Sequence, residues 1–166
     1  MIIELLLIVF LTLLAAAIGK RILRFFKFDF NTFIEGFVFS VGIGLSAIVF
    51  LVWGLGQFGL LYAWFLYLVI LVSSVLFFKE IKFFAVGFVL AFKRLFSLEF
   101  NLLNLSLFTL LFITVFMTVV GAMAPPTGHD ALSYHLAWPK YFTEEHSVFY
   151  IPYSRSSLWP YFMEML

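Results

Sequence analysis

Cysteine is absent from the 166 residues, and charge is scarce: ten Lys and Arg and nine Asp and Glu, 11% of the chain. Without cysteine there is no disulfide, no thiolate metal site and no cysteine nucleophile. The shortage of charge excludes a soluble sphere. Soluble domains carry roughly 25% charged and about 45–50% apolar residues, whereas 64% of this chain is hydrophobic. A globule of this size has no room to hide so much apolar side chain from water, so the expected solvent is lipid. Histidine occurs three times and proline five times, and every one of them lies after Met123. The net charge of +1 argues neither for nor against nucleic acid; no nucleic-acid partner is expected of a chain whose solvent is lipid. What the chain has in abundance is phenylalanine, at 25 residues.

A spanning helix needs about 20 mostly apolar residues. Four stretches approach that length: 1–19, broken only by Glu4; 36–56; 60–78; and 105–123. The last two are free of charge until Lys79 and after Asn104 respectively. A shorter apolar run, Phe83 to Phe92, sits between Lys82 and Lys93-Arg94. At about 1.5 Å per residue it covers roughly half the hydrocarbon core. The segment 81–97 therefore reads as interfacial. The expected fold class is all-α: a polytopic membrane protein with about four transmembrane helices and an external interfacial helix.

Charge order sets the expected topology. Glu4 precedes the first apolar core, and Lys20, Arg21, Arg24 and Lys27 follow it, the reverse of a signal peptide. Four of the ten basic residues fall in 20–27 and four in 79–94. The positive-inside rule puts both clusters in the cytoplasm if the short run does not cross. The uncharged loop 54–59 then faces outward, and the fourth span delivers residues 124–157 to the external side of the cytoplasmic membrane. Ser40 and Gly44 in the second span form a small-xxx-small pair, suited to close helix approach. Glu35 reads as an interface charge at a helix start.

From Ala124 the composition changes. Pro125, Pro126 and Gly128 stop the fourth span and turn the chain. Asp130 follows where a helix begins, and 131–143 carries Leu132, Leu136 and Trp138 at helical spacing with Tyr134 and Tyr141 nearby. Trp and Tyr favour the bilayer interface, so this helix is expected along the outer surface, with Pro139 breaking or kinking it. Asp130 reads either as an N-cap, worth on the order of 1 kcal/mol, or as a base or metal ligand. Tyr134 lies one turn on, over the same face. His135 lies about 140° round the helix, so spacing gives no metal pair. His146, beside Glu144 and Glu145, reads as part of a solvated loop.

The run Pro-Pro-Thr-Gly-His-Asp-Ala-Leu-Ser-Tyr-His-Leu-Ala-Trp-Pro-Lys, residues 125–140, resembles the first external loop of GT-C fold membrane glycosyltransferases. The nearest likeness is to members related to protein O-mannosyltransferases and to the lipid A aminoarabinose transferase. The likeness covers about residues 105–166. It implies transfer of a sugar from a polyprenyl-phosphate carrier, outside the cytoplasmic membrane, with Asp130 matching the family's catalytic acidic residue. Tyr134-His135 and Pro139-Lys140 resemble the pattern of one subgroup. Residues from about 158 look like the start of a further membrane helix. Such enzymes have many more spans, so the chain is expected to be an N-terminal portion, inactive by itself.

The resemblance makes Asp130 the expected general base, with His129, Tyr134 and His135 in support. Lys140 and Arg155 are the two basic residues after Met123 and the available partners for a lipid phosphate. A divalent metal at His129, Asp130 and His135 stays open, as some GT-C enzymes hold one. The expected partners are a polyprenyl-phosphate-linked sugar and membrane lipid. The competing reading is a non-enzymatic membrane scaffold or assembly subunit. A transporter is disfavoured, because spans two to four hold no charge at which ions would relay, apart from interfacial Glu35.

Overall fold

Four small residues fix how the chain folds back on itself. In the computed structural model, which describes residues 2–95, 101–123 and 135–149, helices α1 (Ile2–Phe25) and α2 (Phe33–Gln57) run antiparallel. Gly44 lies against the backbone of Ala15, and Gly19 against the backbone of Ser40. A Cβ at either glycine would overlap the facing carbonyl oxygen. Both helices thus carry a small-xxx-small pair, Ala15–Gly19 on one and Ser40–Gly44 on the other, and the backbones meet there. Leu14, Ala15, Ala16, Ala17, Ser40 and Val49 are buried along this seam.

The turn between the two helices is specified locally. α1 ends in a Schellman motif: Phe28 N–H donates to Leu23 O at 3.0 Å and Lys27 N–H to Arg24 O at 3.0 Å. Lys27 takes the left-handed position, φ 58°, where glycine is usual. Thr32 caps α2 by accepting from Glu35 N–H at 3.2 Å, and Glu35 sits in the first turn, where the helix dipole favours a carboxylate.

α3 (Ala63–Leu76) is shorter than the apolar run that contains it. Its 14 residues rise about 21 Å, less than a hydrocarbon core of about 30 Å. Leu60, Leu61 and Tyr62 stay out of the helix because Leu61 is engaged by the chain around residue 146. After a break at Phe77 the chain bends by 73° into α4 (Phe78–Leu95). α4 packs across one end of the α1–α2 pair. Glu80 accepts from Arg21 at 3.0 Å, the Lys20 ammonium stands over the Phe83 ring, and Phe84 and Phe88 meet Phe33 and Phe37 edge-on or tilted. Gly87 admits the Phe33 ring. The α2 rings that α4 meets are only one turn apart, so α4 crosses the start of α2 rather than following it.

α5 (Leu102–Met123) is capped by Asn101, whose Oδ1 accepts from Asn104 N–H at 2.8 Å. Nearly all of its described side chains are exposed. Ser106, Thr109, Thr114 and Thr118 each donate to a carbonyl three or four residues back in their own helix. Hydroxyls satisfied this way need no water, as a helix in lipid requires. The short α6 (Ala137–Glu144) follows, with Phe142 buried.

The described residues are all helix, turn or coil, with no strand among them. Three helices are long and apolar enough to cross a membrane: Ile3–Phe25, Phe33–Gln57 and Leu102–Ala122. The bent pair α3–α4 passes the same test only when taken together. The protein is a membrane-embedded helical protein.

Candidate functional site

Among the described residues, the polar tail meets the helices at the turn after α2. Gly56 and Gly59 shape that turn: Gly59 holds a left-handed φ of 70°, and Gly56 lets the chain pass close. A Cβ at Gly56 would overlap the Val148 side chain. Two backbone bonds join the strands of chain here. Leu61 N–H donates to His146 O at 3.1 Å, and Val148 N–H donates to Gly56 O at 2.9 Å. Beneath them Leu61 and Phe142 form a small buried cluster, with Val52, Leu55, Trp138 and Val148 packed against it. Phe149 stands edge-on to Phe142 at 5.6 Å.

His146 belongs to this joint rather than to a solvated loop. It occupies the left-handed position just after α6, φ 56°, and Ser147 N–H closes the helix end onto Phe142 O at 3.0 Å. Its ring stacks on Tyr62 at 3.9 Å with an interplanar angle of 27°. Its Nδ1 lies 3.4 Å from Leu61 O, which accepts from an Nδ1–H tautomer. The composition after Met123 hid this role, because the partners Leu61 and Tyr62 lie 85 residues back at the border of an apolar run. The usable signal was Gly56 and Gly59 close to Tyr62: a tight turn ending in an aromatic suited to the interface.

Pro139 lies near the start of α6. It is the third residue of α6, in the first turn, where an N–H has no helical partner and its loss costs little. α6 runs over 137–144; of the expected helix 131–143, residues 131–134 lie outside the described residues.

Of the residues singled out for chemistry, His129, Asp130, Tyr134 and Arg155 lie outside the described residues. His135 is exposed two residues before α6. Lys140 is exposed on α6 and stands 3.8 Å from Glu144, one turn on. That spacing is long for an ion pair and both side chains are over half exposed, so the Lys140 ammonium is held loosely. Trp138 and Tyr141 lie 6.1 Å apart on the same short helix. Among the described residues no three His, Asp or Glu side chains converge as metal ligands would.

The tail joint and the basic turn occupy opposite ends of the α1–α2 pair. Residues 135–149 dock at the end of α2 and the start of α3, whereas Lys20, Arg21, Arg24, Lys27 and α4 cluster at the end of α1 and the start of α2. Comparison with protein-family models, with curated proteins and with solved structures returns no match for the chain.

Proposed function

We propose that the chain is part of a membrane glycosyltransferase of GT-C type, moving a sugar from a polyprenyl-phosphate carrier to an acceptor on the outer side of the cytoplasmic membrane. In this reading four membrane passes carry residues 124–157 to the external face, and Asp130 removes the proton from the acceptor hydroxyl. Lys140 and Arg155 meet the carrier phosphate, with charge-assisted hydrogen bonds balancing the negative charge that develops on it. Trp138 and Tyr141 keep α6 at the interface, where the carrier's headgroup lies.

One observation carries the reading. The tail returns to the α2–α3 turn, at the end of the helix pair remote from the basic residues. The positive-inside rule assigns the basic end to the cytoplasm and hence the tail to the outside. This is where a lipid-linked sugar donor would be used, and where the resemblance of residues 125–140 requires its acidic residue.

The absence of native cysteine makes the test direct. Single cysteines are introduced at 130 and 88, and an impermeant thiol reagent is applied to intact cells. The reading expects labelling at 130 and none at 88. Labelling of 130 only after the cytoplasmic side is opened would overturn it. Asp130→Asn then tests the chemistry. Transfer from a polyprenyl-phosphate sugar should fall by at least about a hundredfold, the usual scale of general-base catalysis, and an unchanged rate would remove Asp130 from that role.

A further inference from the structure

We infer that the turn between α1 and α2 holds the phosphate of one anionic phospholipid, with an acyl chain lying in the adjoining groove. A cavity of about 420 Å³ opens at this turn. Lys20, Arg24 and Lys27 line it from α1 and the turn, Phe83 and Phe84 close it from α4, and Thr32 adds a hydroxyl. Asp29 also lines it and leaves the positive charge in excess. Of the basic residues at this end, Arg21 alone forms an ion pair among the described residues, with Glu80.

The cavity is built with some care for its charges. Lys27 lines the cavity from a left-handed backbone position, φ 58°. Lys20 is packed over the Phe83 ring, which fixes its ammonium at the cavity wall. On the other side of Phe33 and Phe83 lies a second opening of about 840 Å³. Its lining is mostly apolar, with Ile34, Val86 and Leu90, and includes Lys79 and Lys82. A cationic cavity beside an apolar groove, the two sharing Thr32, Phe33 and Phe83 as lining, fits a phosphate that carries a hydrocarbon tail, and fits a free phosphate less well. Basic pockets between membrane helices are where anionic headgroups bind. The inference is independent of the chemistry proposed for Asp130.

The test titrates the detergent-solubilised full chain with short-chain phosphatidylglycerol, with phosphatidylcholine of the same chain length, and with inorganic phosphate, counting bound lipid by native mass spectrometry. One phosphatidylglycerol per chain should bind saturably, with phosphatidylcholine and inorganic phosphate much weaker. The double variant Arg24→Gln/Lys27→Gln should bind phosphatidylglycerol about thirtyfold more weakly. Gly36→Leu serves as a second variant that keeps every charge. Gly36 lines the cavity, and an added Cβ meets only Phe30, at 3.5 Å. The larger side chain should fill the cavity and abolish saturable binding while helicity is retained. Equal binding of the two lipids, or undiminished binding by Gly36→Leu, would overturn the inference. Inorganic phosphate binding as tightly as phosphatidylglycerol would overturn the lipid assignment.

Discussion

α2 and α5 are equally apolar, each with a mean hydropathy of 2.3, yet one is packed and the other is not. α2 buries Ser40, Gly44, Val49 and Gly56 against the rest of the chain. α5 buries none of its described residues. Hydropathy therefore reports the solvent and not the partner; the partner of α2 is set where Gly19 and Gly44 let two backbones meet. In lipid, burying apolar area brings no gain between helices, because the acyl chains are as apolar as leucine. What joins α1 to α2 is close backbone approach at two glycines, whereas the small residues that α5 carries at the same spacing, Thr114, Thr118 and Ala122, are all exposed.

The sharpest way to break the comparison is one substitution made twice. Gly44→Leu drives a side chain into the Ala15 backbone. Overpacking of a flexible core costs about 1–3 kcal/mol, and a backbone clash relaxes less, so a loss of at least about 3 kcal/mol is expected in unfolding with increasing dodecyl sulfate in mixed micelles. Gly121→Leu on α5 meets nothing within 4 Å and should change the midpoint by less than about 0.5 kcal/mol. Equal losses at the two sites would mean that α5 is packed as tightly as α2.

A loss of similar size, but confined to the tail, is expected for Phe142→Ala. Phe142 is 3% exposed and forms the buried cluster with Leu61. Emptying that site costs about 3 kcal/mol. Residues 135–149 should then exchange amide hydrogen faster and be cut sooner by protease, while the α1–α2 midpoint stays put. If the whole bundle loosened together, the tail would be part of its core.

How far these features were legible from the residues differs by kind. The first, second and fourth expected spans were legible because lipid imposes a length and a hydropathy. The α1–α2 seam was half legible: Ser40 and Gly44 stood out by spacing, whereas Ala15 and Gly19 were masked by being part of a run of small residues that invites a cleavage-site reading. α3 was read too long because hydropathy does not register that Leu61 is bonded to His146 instead of to its own helix. His146 was misread for the same reason: its partners are distant in sequence. Asp130, the residue on which the proposed chemistry rests, is argued from local motif alone and lies outside the described residues.

At the opposite end, Arg21→Gln tests a single charge pair. Glu80 has a side chain 9% exposed and that of Arg21 is 62% exposed, so the loss of the guanidinium leaves a nearly buried carboxylate without its partner. The cost expected is about 1–2 kcal/mol, below that of a fully buried pair because water reaches Arg21. Glu80→Gln in the same background should restore part of it, since an amide needs no counter-charge. No recovery would mean that Arg21 acts through packing of its stem.

The smallest effect on stability separates structure from chemistry. Lys140 stands 3.8 Å from Glu144, both well exposed, and such a pair contributes no more than about 0.5 kcal/mol. Lys140→Ala should leave the unfolding midpoint and the protease resistance of 135–149 unchanged. In the proposed reading its ammonium is loosely held because it is kept for a phosphate, so the same variant should lower transfer from a lipid-linked sugar about tenfold, and Lys140→Arg should recover most of the loss because it keeps the charge. A rate that stays constant in Lys140→Ala would reduce Lys140 to a headgroup contact and leave Arg155 as the basic residue of the tail to test next.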